Sequence, residues 1–210
     1  MRLAVILANG APPAADLLRR ALARSALFLC ADGGANTARA LGVRPAAIVG
    51  DFDSITPETA AHFVDVPQVR DLDQERTDTE KAIEYALAQG AFDEITLLGA
   101  TSGRLDHVLG HVGLLRKYLG RVRLVMESGD GRSYVADADI ELQCPRGTVV
   151  SFFALGAPVE GVTTENLRYP LRDRRLDLGF QDSISNVVEK TPAWIRVKQG
   201  TLLVVEVSNP

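Results

Sequence analysis

The sequence predicts two domains of different class: an α/β domain with a Rossmann-like parallel sheet over residues 1–127, and a small all-β sandwich or barrel over residues 128–210. Three observations carry this division. Short apolar runs alternate with helical periods up to about residue 126, the signature of βα units. Beyond Ser128-Gly129-Asp130-Gly131 the pattern changes to short alternating or β-branched runs separated by Gly, Pro and Asp. The unusual polar motifs of the first part all stand just beyond the ends of apolar runs.

The first run, 3–7, is shorter than a secretory apolar segment and ends at the turn Asn9-Gly10, so it is read as a strand. Further strands are expected at 26–30, 46–49, 94–98 and 121–126. Between them, 16–24, 36–41, 78–89 and 105–119 place apolar residues at three- and four-residue intervals, the spacing of one helical face. The helix 78–89 has the clearest bounds, with Thr77 and Glu80 forming a T-x-x-E capping box and Gly90 supplying the stop. In the second part, 140–144, 148–155, 183–188, 193–198 and 201–207 read as strands.

A chain of 210 residues buries a core without disulfides or a structural metal. With a formal net charge of -4 and no basic run, it carries no electrostatic footprint for nucleic acid or for an anionic membrane. No apolar run approaches the roughly 18 residues of a membrane span. Cys30 and Cys144 lie far apart with no C-x-x-C spacing, which fits inert buried thiols and a cytoplasmic location.

In an open parallel sheet the carboxyl ends of the strands share one edge, and ligands bind in the crevice there. Asn9-Gly10, Asp32 to Asn36, Gly50 to Ser54 and Gly99 to Arg104 all fall at that edge and are expected to converge. Gly33-Gly34 and Thr101-Ser102-Gly103 are small-residue turns entering helices, where backbone N–H groups cradle an anion or simply allow a βα turn. In "GDFDSI", Asp51 and Asp53 point the same way if the segment is extended, and Asp78 opens the capped helix. Two carboxylates about 5 Å apart repel by roughly 3 kcal/mol, a cost that a bound cation reverses. Magnesium suits the pattern, because it takes one or two carboxylates and fills its shell with water and phosphate oxygens. The same spacing also fits Asp53 or Ser54 as the cap of a helix beginning near Pro57. Lys81 shares a helical face with Asp78, either as a surface ion pair or as an ammonium for phosphate; Arg104 and Asp106 straddle Leu105 as a phosphate clamp and a nearby carboxylate. His107 and His111 have i, i+4 spacing but lack the metalloprotease glutamate and a third soft ligand, Ser54 has no nucleophile elbow, and no P-loop is present. Trp194 is expected in the core of the second domain, with ligand stacking as the alternative.

Taken in order, "ADGGAN", "GDFDSI", "DQERTDTEKAI", "LGATSGRLDH", "NLRYPL" and "SISN" closely resemble the thiamine pyrophosphokinase family, from the first strand nearly to the last. The resemblance implies transfer of the pyrophosphoryl group of ATP to the hydroxyl of thiamine, with release of AMP, by a homodimer that holds thiamine across a shared interface. It implies Mg²⁺ on Asp51, Asp53 and Asp78; ATP on Asp32, Gly33, Gly34, Asn36, Thr101, Ser102, Gly103 and Arg104, with Lys81 on its phosphates; Gln74 and Asp106 near the transferred group or thiamine; and Ser185 and Asn186 at the thiamine ring. This sequence departs from the family pattern at Ser102, at Glu165-Asn166 and at Ser183 and Val187, all positions where the family commonly has glycine or, at the last, glutamate. In a regular strand Ser185 and Asn186 face opposite sides, so a shared ligand requires a bend or bulge there. The competing expectations are a pyrophosphokinase of another hydroxymethyl heterocycle such as a pterin, a metal-dependent phosphohydrolase, and a non-catalytic nucleotide or thiamine sensor.

Overall fold

The computed structural model describes residues 1–208, which divide into two compact units, the first ending at Gly129 and the second starting at Asp130. In the first unit the elements run β1 (Leu3–Leu7), α1 (Ala15–Arg24), β2 (Ser25–Ala31), α2 (Gly34–Ala40), β3 (Ala47–Gly50), α3 (Pro57–His62), β4 (Gln68–Arg70), α4 (Asp78–Ala88), β5 (Glu94–Leu98), α5 (Leu105–Lys117) and β6 (Arg123–Ser128). The strands lie in the order β6-β5-β1-β2-β3-β4 and every pairing between them is parallel. Strand order therefore reverses between β1 and β5, which makes their carboxyl ends the switch point at which open α/β sheets bind ligands.

Helices on the sheet explain why β1 reads as an unbroken apolar run and why Ile95, Leu97 and Leu98 of β5 are all buried. Val5, Leu7, Phe28, Cys30 and Ile48 join Leu17, Leu18 and Ala21 of α1 and Ala35 and Ala38 of α2 in one buried cluster. α4 lies against β1, β2 and β3 and buries Ala82, Ile83 and Ala86. Its far end is tied down by Tyr118, whose hydroxyl donates to Glu84 at 2.6 Å, with Arg121 on the same carboxylate. Its near end carries the Thr77 half of the expected capping box, Thr77 Oγ1 accepting from the Glu80 N–H at 3.3 Å, while the Glu80 carboxylate pairs with Lys117. Thr77→Ala is expected to cost about 1 kcal/mol of stability, read as a lower urea midpoint at unchanged slope.

α3 is capped by Thr56, which accepts from Thr59 N–H, and not by Asp53 or Ser54. Both of those residues are thus released from a capping role. β4 escapes a periodicity reading because it is a three-residue edge strand with its two end residues exposed.

The second unit is an antiparallel β-sandwich. One set of strands runs β12 (Ser183–Val187), β9 (Val149–Ala154), β14 (Leu202–Val207), β7 (Gly131–Ala136), and the other β11 (Arg174–Leu176), β10 (Val159–Glu165), β13 (Ala193–Arg196), β8 (Ile140–Leu142). Alternate residues face inward, including Val150, Phe152 and Ala154 of β9 and Leu202 and Val204 of β14. Glu206, next in that inward series, is satisfied by the Arg132 guanidinium and the Tyr134 hydroxyl. Trp194 lies half-buried on β13 beneath the Arg196 guanidinium, rather than deep in the core.

Candidate active site

A cleft of about 450 Å³ opens at the switch point of the first unit. β1 delivers Asn9 and Gly10 to it, β2 delivers Asp32, and the loop after β3 delivers Asp53 and Ser54. The start of α4 adds Thr77, Asp78 and Thr79, the loop after β5 adds Gly99 and Ser102 to Arg104, and α5 adds His107 and His111. The four loops expected at one edge do meet there.

Three carboxylates converge, but they are Asp32, Asp51 and Asp78, with one oxygen of each within 4.8 Å of the others. Asp53 stands outside this group. Phe52 has φ +70, so Asp51 to Asp53 is a turn and not the extended segment that would aim both side chains alike. In that turn Asp51 Oδ1 accepts from the Asp53 N–H at 3.2 Å, while the exposed Asp53 carboxylate accepts from the Ser54 hydroxyl at 2.7 Å. Asp32 takes the third place because β2 ends beside β3, and its own N–H donates to Val49 O at 2.8 Å. Gly50 permits the approach: a Cβ there would lie 2.8 Å from Asp32 Cβ and 3.1 Å from Asp78 Oδ1.

The environments of the three differ. Asp32 is only 2% exposed; its Oδ2 accepts from Ser54 N–H at 3.1 Å, and its buried Oδ1 has no partner. Burial, followed by the neighbouring Asp78 charge, raises its pKa. Asp51 is held below the usual carboxylate range by the Asp53 N–H, the Gln74 side chain and the Lys81 charge. Lys81 is buried, not on the surface, and its Nζ lies 2.9 Å from Asp78 Oδ1. At this spacing each pair of ionised carboxylates repels by about 3 kcal/mol, and a single ammonium offsets only part of the total. An orphaned, buried carboxylate oxygen among hard oxygen donors fits a divalent cation of the magnesium type.

The other predicted residues fall into distinct roles. Asn36 braces the carboxylate loop, its Nδ2 donating to Ser54 O at 2.8 Å and its Oδ1 accepting from Thr56 N–H at 3.1 Å. Gly34 is buried against the end of β1, where a Cβ would meet Leu7 O at 2.1 Å, and a Cβ on the buried Gly33 would meet the side chain of the cleft residue Asn9 at 2.4 Å. In the loop after β5 Gly99, with φ +67, and Gly103, with φ +97, have positive φ; Ser102 does not, so its backbone does not require glycine. Thr101 lies half-buried in that loop. Gln74 is exposed, and its Nε2 donates to Leu72 O at 3.4 Å. Arg104 lines the cleft and forks onto Asp106, and this guanidinium holds the Asp106 pKa down to about 2.

The sequence assigns no role to three polar residues that line the cleft, Thr79, His107 and His111. Thr79 and His111 are joined by a 3.1 Å contact between Oγ1 and Nε2, and both are buried. The lack of a third ligand argues against a metal role for His107 and His111, while their i, i+4 phase places both on the helical face that follows Arg104 and is the usable signal.

In the second unit, Ser185 and Asn186 sit on β12 at a register irregularity between Ser183 and Asn186, with Ser185 at φ +57. The bend that a shared ligand would require is therefore present. Ser185 is exposed, whereas the Asn186 side chain is spent on backbone: its Oδ1 accepts from Tyr169 N–H and its Nδ2 donates to Tyr169 O. Asn166 adopts φ +62 without glycine, a conformation asparagine tolerates, so that departure is accommodated.

The family model described as thiamin pyrophosphokinase, catalytic domain, matches residues 18–126, and that described as thiamin pyrophosphokinase, vitamin B1 binding domain, matches residues 138–202. The chain is 29% identical over 189 residues to thiamine pyrophosphokinase of Bacillus subtilis, covering 85% of this chain and 86% of that protein. It is 27% identical over 215 residues to thiamine pyrophosphokinase 1 of Oryza sativa, with 89% and 81% covered. The crystal structure of thiamine pyrophosphokinase from Bacillus subtilis superposes with a TM-score of 0.87 over 100% of both chains at 25% identity.

Proposed function

The chain belongs to the thiamin pyrophosphokinase family, and from that premise we propose which residues carry the transfer of a pyrophosphoryl group from ATP to the thiamine hydroxyl. The observation that carries the assignment is the meeting of Asp32, Asp51 and Asp78 beside an anion-cradling loop at the switch point. In the reaction the hydroxyl oxygen of thiamine attacks the β-phosphorus of ATP, the bond from that phosphorus to the oxygen bridging the α-phosphate breaks, and AMP leaves. Such transfers depend on alignment and charge neutralisation, with little covalent work by the protein.

Asp32, Asp51 and Asp78 would hold Mg²⁺, which when bound neutralises phosphate oxygens and orients the chain for in-line attack. Lys81 fixes Asp78 in direction through the contact of its ammonium with Oδ1. The backbone from Thr101 to Gly103 and the guanidinium of Arg104 receive phosphate; because Arg104 is forked onto Asp106, Asp106 sets its aim and gives up part of its hold when phosphate arrives. Asp53, at the rim of the cleft, is placed for water or substrate contact rather than among the three converging carboxylates.

The acceptor ring is assigned to the second unit, with Ser185 at its bend and Asn186 shaping the Leu167–Tyr169 segment through its bonds to Tyr169. A homodimer with shared sites is part of the proposal, checked by sedimentation of the active protein. So is a cytoplasmic location, which two free cysteines support; among the described residues no helix is long and apolar enough to cross a membrane.

Phosphorus NMR of the protein with ATP, Mg²⁺ and thiamine tests this reading. AMP together with thiamine diphosphate, absent without thiamine or with EDTA, is the expected result. ADP as the nucleotide product, or ATP loss independent of thiamine, would overturn it.

A further inference from the structure

We propose that His111 is a positioning residue that locks the phosphate-cradling loop after β5 to the helix start presenting Asp78, an inference that rests on the pyrophosphokinase reading of the cleft. His111 comes from the second turn of α5 and is 6% exposed. Its Nδ1 lies 2.9 Å from the carbonyl oxygen of Ala100, the second residue of that loop, and its Nε2 lies 3.1 Å from Thr79 Oγ1, next to Asp78.

The two contacts define one tautomer. A carbonyl oxygen only accepts, so Nδ1 carries the proton and donates to Ala100 O, leaving Nε2 to accept from the Thr79 hydroxyl. Burial lowers the His111 pKa, which favours this neutral form. The imidazole thus bridges two segments with no sequence proximity: the loop that would receive phosphate and the helix start that would hold the metal.

Consequence follows from geometry. Ala100 is fully buried and Thr79 nearly so, so neither polar group reaches water if the bridge is lost. The loop and Asp78 would then move independently, and misplacement of about 1 Å between phosphates and metal ligands costs up to about 100-fold in such reactions. Thiamine binding, which the reading places in the second unit, does not depend on the bridge.

The test is a double-mutant cycle of His111→Asn and Thr79→Val. Thr79→Val removes only the hydroxyl at nearly constant shape, so it serves where the histidine variant folds poorly. Calorimetric affinity for a non-hydrolysable ATP analogue with Mg²⁺, melting temperature, and kcat and KM for both substrates are read for each protein. Each single variant is expected to weaken analogue affinity and lower kcat/KM for ATP by about 10- to 100-fold, with KM for thiamine changed less than about twofold. The double variant should be no worse than the worse single, because both remove one shared contact. Fully additive losses, or a lowered melting temperature with unchanged analogue affinity, would overturn the proposal. A wild-type protein that binds the analogue through this linkage yet makes no thiamine diphosphate would instead sink the pyrophosphokinase reading alone.

Discussion

Asp32→Asn and Asp51→Asn are each expected to lower thiamine-dependent AMP formation by on the order of 10²–10³-fold, with native circular dichroism. Both side chains contribute oxygens to the three-carboxylate group, and the amide keeps their shape while removing the charge that a cation needs. Asp53→Asn serves as the contrast, because its carboxylate lies outside that group and accepts from Ser54; a loss below about tenfold is expected. Rates within about threefold of wild type for both Asp32 and Asp51 variants would remove them from the site. Asp32 also carries a pH signature in the metal-free protein. Its pKa is raised above the ordinary 3.8, so the folded chain binds this proton more tightly than the unfolded chain. Stability therefore falls as pH rises from about 3.8 through the raised value, and Asp32→Asn should flatten that part of the profile. An unchanged pH–stability curve in the variant would contradict the assigned environment.

Lys81→Met is expected to destabilise the metal-free protein by about 2–3 kcal/mol, somewhat below the usual loss for breaking a buried pair because Asp78 retains some solvent contact. The methionine fills the space of the lysine stem, so the loss reports charge and not a cavity. Without the ammonium the mutual repulsion of Asp32, Asp51 and Asp78 loses its one buried cationic partner among the described contacts. Added Mg²⁺ should recover part of the stability, since it binds the folded chain. Urea unfolding at neutral pH with and without Mg²⁺ measures both effects. A change of less than about 0.5 kcal/mol would show that Lys81 pairs only weakly with this cluster.

Most of the first unit was legible because burial on both faces makes its strands continuous apolar runs, and β1 and β5 have the expected bounds of 3–7 and 94–98. β4 and β11 were not, being three residues long with two of the three exposed, whereas the equally short β8 buries both its end residues. β10 was hidden by Pro158 at its entrance and by Gly161 at φ +70, where its pairing with β11 is irregular. β7 was lost because the turn that separates the units leads straight into it.

The same contrast holds at the cleft. That polar loops would converge followed from strand polarity alone. Which carboxylates meet did not, because it depends on the turn at Phe52 and on β2 and β3 being neighbours, neither of which periodicity reports. Asn36 and Asn186 illustrate a second limit: both hydrogen-bond main-chain groups that shape a loop, a role that residue type and spacing do not report.

The central claim is that Asp32, Asp51 and Asp78 form the metal site of a pyrophosphokinase cleft. A crystal structure with Mn²⁺ and a non-hydrolysable ATP analogue, read by anomalous scattering, tests it most directly. The account predicts a peak about 2.1 Å from oxygens within the Asp32, Asp51 and Asp78 group, with phosphates against the loop ending at Arg104. A peak held by Asp53 with Asp32 unengaged, or a nucleotide outside the switch-point cleft, would contradict it.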